Sequence, residues 1–432
     1  MIKFRHGRRC SQGIAARISG GPSFFVFTMG EYMNFTVEDV LQYVKEEDVK
    51  FIRLAFCDVY GEQKNVAIMP SELERAFKHG IAIDASAIAG FGGEVRSDLF
   101  LRPDPSTLSR FPWRPESGKV VRMFCDVTYP DGTVLETDTR GILKRAIAEA
   151  KDCGLSFDFG PEMEFYLFKT DEQGEATKIP YDRAGYMSVA PEDKGENVRR
   201  EICLTLEQMG ILPESSHHEE GPGQNEIDFR YSDALSAADN TIAFRSVVRT
   251  VAWRSGLYAD FSPKPLKNQA GSGMHINISV GDSAPLHNVI AGIMDKIREI
   301  TVFLNPCENS YERFGSDKAP VYISWSSENR SQLIRIPATH KAYPRAELRS
   351  PDPKANPYLA FALLIYAGIY GVKNKLSPPS PADVNLYTAP PELLSCFEKL
   401  PMSLEEAATA AASSAFVRQH LPQSVIDAYC QR

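Results

Sequence analysis

No apolar run in this 432-residue chain approaches the ~20 residues a bilayer-spanning helix needs, which excludes a helical membrane protein. Positive charge is not in surplus: 48 Lys and Arg face 56 Asp and Glu, a net charge of −8 that gives no global attraction to nucleic acid. The eight cysteines (Cys10, Cys57, Cys125, Cys153, Cys203, Cys307, Cys396 and Cys430) include no C-x-x-C pair and no zinc-site spacing. A disulfide framework and a structural zinc site are therefore excluded, and the thiols read as the reduced, mostly buried cysteines of a cytoplasmic protein. Internal repeats and low-complexity tracts are absent as well. What remains is a soluble globular composition, 43% apolar and 24% charged, with length for two domains and an acidic balance that suits cation-binding sites.

The first 32 residues stand apart. Lys3, Arg5, Arg8, Arg9 and Arg17 occur with no acid before residue 29, the composition of an organelle leader or of residues upstream of the true start. Poor amphipathic order favours the second, with Met29 or Met33 as the start. From Thr36, an N-cap with an acidic first turn opens a short helix, and Phe51–Phe56 and Asn65–Met69 read as a hairpin about an Asp58–Gly61 turn. Val120–Val127 is a further strand, and Pro130-Asp131-Gly132 closes this sheet-rich part, so domains are expected at 33–133 and 134–432. Beyond the cut, helices are expected at 137–151, 197–209, 358–371 and 403–414, with a loop through 171–195.

Phe159–Phe168 carries the first chemical signal. Glu162 and Glu164 lie two apart in an aromatic, strand-favouring run, so both project from one face and repel each other unless a positive group stands opposite. Four further segments repeat the pattern: Gln224, Glu226, Asp228 and Arg230; His275, Asn277 and Ser279; Leu333–Pro337 with Arg335; and Arg345, Glu347 and Arg349. Taken singly, each is an ordinary solvated strand face. Taken together with the Gly-rich turns beside them, they describe a polar cleft for divalent cations and a nucleotide, Mg²⁺ or Mn²⁺ between carboxylates and polyphosphate, with arginines neutralising a transferred phosphoryl group. A metal-dependent phosphatase would also use clustered carboxylates and one His; the several separate arginines favour a nucleotide-using ligase.

The ordered set Gly160-Pro161-Glu162-Met163-Glu164, His218-Glu219 with Gly223-Gln224-Asn225-Glu226, Lys264-Pro265, Gly271-Ser272-Gly273-Met274-His275, Asn309-Ser310-Tyr311-Glu312-Arg313, Asn329-Arg330-Ser331, Arg335-Ile336-Pro337 and Glu347-Leu348-Arg349 closely resembles bacterial-type (type I) glutamine synthetase from about residue 35 onward. The resemblance implies an α+β fold, with an N-terminal β-grasp domain followed by a glutamine synthetase/guanido kinase-like catalytic domain whose curved antiparallel sheet forms the site. It further implies two stacked hexameric rings with sites between subunits, and glutamate, ATP and ammonia as substrates. By motif matching, Glu164, Glu219 and Glu226 would hold one metal and Glu162, His275 and Glu347 a second. Arg313 and Arg349 match the arginines that hold glutamate beside Gly271. Arg330 and Arg335 match the phosphate-handling pair, and Tyr231, Asn277, Ser279 and Arg345 fall at nucleotide positions. Asp58, presented by a neighbouring subunit, and Tyr186 match residues of the ammonium pocket.

Two features of the site depart from the family's pattern. Ala270 replaces the usual Asn before Gly-Ser-Gly-Met-His. The flap Gly315–Pro320 is one residue short and puts Lys318 where a glutamate is usual, so Asp317 would have to take over that role. Tyr387 matches the tyrosine that some members adenylylate and reads here as an unmodified loop residue. Ala270 and Lys318 motivate an alternative amine, an alkylamine or polyamine giving a γ-glutamyl amide. A non-catalytic structural or regulatory relative is the alternative of another class.

Overall fold

The alternation that marks the sequence's strands becomes two sheets in the computed structural model, which describes residues 35–91, 97–281, 285–315, 318–327, 329–338 and 344–431. The basic extension 1–32, Met33 and Asp317 lie outside the described residues. The first sheet comprises β1 (Phe51–Cys57), β2 (Gln63–Ile68), β3 (Ile81–Asp84), β4 (Asp98–Pro103), β5 (Ser109–Arg110) and β6 (Val120–Thr128), in the order β2-β1-β6-β4-β3 with β5 on β6. The expected hairpin is present, β1 pairing antiparallel with β2 from Ile52↔Ile68 to Cys57↔Gln63. Its other edge meets β6 in parallel, a long-range pairing that local pattern does not announce. The first helix begins at Thr36 with a reciprocal capping box, Thr36 Oγ1 accepting from the Asp39 amide and Asp39 accepting from the Thr36 amide.

The second sheet contains β7 (Phe157–Thr170), β8 (Ala176–Pro180), β9 (Pro213–His218), β10 (Gln224–Phe229), β11 (Ser232–Asp233), β12 (Leu257–Asp260), β13 (Met274–Val280), β14 (Trp325–Ser327), β15 (Ile334–Ile336) and β16 (Ala346–Leu348). Its order is β14-β15-β16-β13-β7-β10-β9, with β11 on the start of β7 and β8 and β12 on its end, and every pairing is antiparallel except β14 with β15. The 14-residue β7 is thus the spine. One correction concerns 171–195: the expected loop contains β8, whose polar Ala176–Pro180 run pairs with the end of β7 and is mostly exposed, so no hydrophobic alternation betrays it.

Helices Thr139–Asp152, Ala234–Arg254, Leu286–Leu304 and Pro357–Lys373 bury the back of this sheet. Met163 and Phe165 of β7 point into that core while Glu162 and Glu164 face the other way, as alternation requires. The two sheets are joined through a buried charge hub. The Arg140 guanidinium reaches Asp104 at 2.8 Å and Asp126 at 2.7 Å on the first-sheet side, and Asp239 at 3.0 Å behind the second. Three carboxylates around one guanidinium, with the Tyr358 hydroxyl donating to Asp239 at 2.7 Å, satisfy groups that burial would otherwise penalise. No helix among the described residues is long and apolar enough to cross a membrane.

Candidate functional site

Cross-strand register assembles the site. β13 sets His275 opposite Glu162, and β10 sets Glu226 opposite Glu164 and Asp228 opposite Glu162. β9 brings His217 beside Glu226, and β16 and β15 bring Glu347 and Arg335 side by side. The result is a cavity of about 470 Å³ whose walls include Glu162, Glu164, Glu219, Glu226, His275 and Asp228. Arg313, Arg330, Arg335, Arg345 and Arg349 supply the remaining charge, and Tyr186, Gly271 and Lys318 complete the wall.

Two groups of side chains place metal-ligating atoms within 4.8 Å of one another as the sequence leads one to expect, or nearly so. Glu162, His275 and Glu347 form the expected trio, His275 Nδ1 lying 3.5 Å from Glu162 and 3.8 Å from Glu347. Glu219 and Glu226 also come together, but their third member is His217, whose Nε2 is 2.9 Å from Glu219. Glu164 faces the same cavity with one oxygen engaged, accepting from Gln224 Nε2 at 2.8 Å and from the Gly273 amide at 3.0 Å. A third group, Glu162, Glu226 and Asp228, links the other two.

The electrostatics demand countercharge. Burial, and then repulsion from Glu164, Asp228, Glu162 and Glu219, raise the Glu226 carboxyl well above the usual carboxylate range. Burial also acts against ionisation of Glu162, but hydrogen bonding and charge from His275, with Asn277 and Arg349 adding to them, hold it down to about 2. Carboxylates this crowded are stable as anions only beside cations, and hard divalent ions suit an oxygen-rich set with one or two imidazoles. Glu347 is clamped by Arg335 and Arg349, which fixes its orientation toward His275.

The glycines of Gly271-Ser272-Gly273 are required by close packing. A Cβ on Gly271 would lie 2.5 Å from Arg313 Cγ and 2.7 Å from the Pro263 carbonyl, and one on Gly273 would lie 2.8 Å from His275 Nε2. Larger residues would displace both the arginine and the imidazole.

Several expected residues lie elsewhere. Asn277 is not in the cavity wall; its Nδ2 donates to Glu162 at 2.7 Å, so it orients a ligand from the side. Glu347, nearly fully buried, stands behind His275. Tyr231 and Ser279 are outside the wall, Tyr231 half-exposed and Ser279 donating to the Pro344 carbonyl at 3.3 Å. Asp58 does not reach the cavity of its own chain and accepts from the Tyr60 and Glu62 amides at 3.0 Å. Tyr387 is also outside the wall. Residues that the sequence reading missed are His217, Gln224 as a Glu164 partner, and Glu220, which pairs with Lys318. The His217-His218 doublet held the signal for the first: alternation puts only one of two adjacent imidazoles on the charged face.

This geometry has close relatives. Residues 48–130 match the family described as glutamine synthetase, beta-Grasp domain, and residues 136–432 match glutamine synthetase, catalytic domain. A glutamine synthetase of Clostridium saccharobutylicum is 48% identical over 369 residues, covering 82% of this chain and 83% of that protein. One of Methanosarcina mazei is 46% identical over 417 residues, covering 91% and 92%. Among solved structures, one described as a GmaS/ADP complex aligns with a TM-score of 0.81 at 27% identity, covering 91% of this chain and 94% of that one. With both domains matched and near-half identity over most of its length, the chain belongs to the glutamine synthetase family of ligases.

Proposed function

We propose that the chain joins ammonia to the γ-carboxylate of L-glutamate with ATP, through γ-glutamyl phosphate, using two Mg²⁺ or Mn²⁺ ions per site. The observation that carries this reading is one cavity lined both by clustered carboxylates with His275 and by five arginines. Arginines there would bind the glutamate carboxylates and the phosphates: Arg313 and Arg349 the former, Arg330, Arg335 and Arg345 the latter, with bidentate geometry that a point charge lacks. Glu162, His275 and Glu347 would hold the metal on the nucleotide side, with Tyr231, Asn277 and Ser279 nearby. Glu219 and Glu226, with Glu164 or His217, would hold the metal on the glutamate side. Bound there, divalent ions would neutralise charge on the transferred phosphoryl group.

The glutamate carboxylate would attack the γ-phosphate, and ammonia would then displace phosphate from the acyl phosphate. A cationic amine would enter past Tyr186, with Asp58 of a neighbouring subunit as its general base. That role needs an adjacent subunit, which two stacked hexameric rings in a cytoplasmic dodecamer would supply. We place the domain cut at 133/134, between the stretches that match the two family models. The test is phosphate release from ATP and glutamate with ammonium, the product identified by mass spectrometry; no metal-dependent release with ammonium would overturn the reading.

A second reading keeps the activation step and substitutes an alkylamine or polyamine. Ala270, whose carbonyl accepts from the Tyr166 hydroxyl at 2.6 Å, is its support.

A further inference from the structure

The cavity wall contains a cation that belongs to the chain itself. Lys318 leaves the flap at a left-handed φ of 69°, a conformation that costs a side-chain-bearing residue about 1 kcal/mol. Its ammonium forms an ion pair with Glu220 and lies 5.0 Å from the centroid of the Tyr186 ring. Tyr186 is in turn backed edge-on by His217, with ring centroids 5.5 Å apart. A carboxylate beside an aromatic face is a recognition site for an organic ammonium. Here the occupant is tethered.

The five arginines of the cavity wall repel a cationic amine, whereas the Glu220 carboxylate and the Tyr186 ring attract one, so an approach past Glu220 and Tyr186 suits it. Lys318 stands in that same approach. Its stem and ammonium fill volume that an N-alkyl group would need, and its charge would repel ammonium were Glu220 not there to neutralise it.

We infer that Lys318 is a specificity-determining residue that confines the amine to ammonia, and that Glu220 is the positioning residue which makes this cation tolerable beside an ammonium substrate. This rests on the ligase reading above. It assigns the short, Lys-bearing flap to selection against substituted amines, the opposite of the broadened amine use that the same residue suggests from sequence alone.

The experiment compares the full-length wild type, Lys318→Ala and Glu220→Gln for phosphate release from ATP and glutamate with ammonium and with methylammonium. Loss of the lysine should raise the methylammonium-to-ammonium ratio of kcat/KM at least about tenfold, the discrimination that one carbon group supports in a shaped pocket. Glu220→Gln should raise KM for ammonium roughly three- to tenfold at low ionic strength, with a smaller change at about 0.5 M salt, and should leave KM for glutamate unchanged. Glutamate KM and thermal midpoint report whether each variant keeps its fold, and Lys318→Gln, which retains length without charge, separates steric exclusion from repulsion. An unchanged amine ratio in both Lys318 variants, or an ammonium KM in Glu220→Gln that is unchanged or insensitive to salt, overturns the inference. A wild type inactive with both amines instead overturns the ligase reading itself.

Discussion

His218 Nε2 lies 2.8 Å from Asp182 Oδ1, and its Nδ1 lies 2.7 Å from the Glu219 carbonyl oxygen, inside a site from which water is excluded. Both partners are acceptors, so both ring nitrogens must donate, and His218 is an imidazolium. Burial works against that charge, but the Asp182 hydrogen bond and the Glu219 carbonyl outweigh it and raise the imidazole above its ordinary range. Asp182 also accepts from the Gly223 amide at 3.0 Å and the Lys194 amide at 3.1 Å. The pair therefore ties the turn carrying Glu219 to the loop carrying Tyr186.

Replacing His218 by Gln retains a polar side chain of similar reach but removes the charge. The expected loss is about 1–3 kcal/mol of stability, together with weaker divalent-ion binding as Glu219 loses its support. Urea denaturation with and without Mn²⁺ measures both, and an unchanged midpoint would count against the tie.

Crowding at Glu226 predicts opposite effects with and without metal. Glu226→Gln removes a buried carboxyl whose ionisation its neighbours oppose, so in a chelator the variant should be more stable than the wild type by about 1–3 kcal/mol. The same change deletes a ligand, so the gain in thermal midpoint on adding Mg²⁺ or Mn²⁺ should shrink. Equal gains in both proteins would place the metal elsewhere.

Asp138 gives a pH dependence away from the site. Burial, with Asp126 repulsion adding to it, raises its carboxyl from 3.8 to about 6 even though it accepts from the Val127 and Arg140 amides. Between those values the folded chain binds the proton that the unfolded chain has released, so stability falls as pH rises from about 4 to about 6 and then levels. The full swing is about 3 kcal/mol at 1.36 kcal/mol per unit. Asp138→Asn should flatten this part of the stability profile, measured by denaturant unfolding across pH 4–7.

Helices Leu286–Leu304 and Pro357–Lys373 cross at Gly292 and Gly371, where an added Cβ on Gly292 would stand 2.1 Å from the Ala367 carbonyl oxygen and 2.7 Å from Gly371 Cα. Backbone cannot yield as a flexible side chain can. Gly292→Ala should therefore destabilise by about 1–3 kcal/mol, overriding the usual helix-propensity gain, and a raised thermal midpoint would contradict so tight a crossing.

Much of the architecture was legible because it is local. The Thr36 cap, the β1–β2 hairpin and the helices Thr139–Asp152, Glu196–Gln208, Pro357–Lys373 and Leu404–Ser413 each follow from capping residues, turn chemistry or apolar period within a few residues, whereas the long helices Ala234–Arg254 and Leu286–Leu304 were not expected. β8 was not legible, since it gains its strand character from pairing with β7 and carries little apolar signal of its own. His217 was obscured by His218, because alternation puts one imidazole of the doublet on the charged face and only the register with β10 decides which. Lys318 was recognised as a departure, but its partner could not be, as Glu220 is distant in sequence and meets it only across the cavity mouth.

By itself, the sequence determined that Glu162 and Glu164 share a strand face, that acids, a histidine and arginines recur on four other strands, and that their order is a family's order. Those properties follow from the two-residue period of a strand and from linear spacing. Only the tertiary structure decided that His275 stands opposite Glu162, that Glu226 stands opposite Glu164 with His217 beside it, and that Glu220 neutralises Lys318. Register and loop packing settle these relations, and both depend on contacts between segments far apart in the chain, whose free energy exists only once the whole sheet has formed.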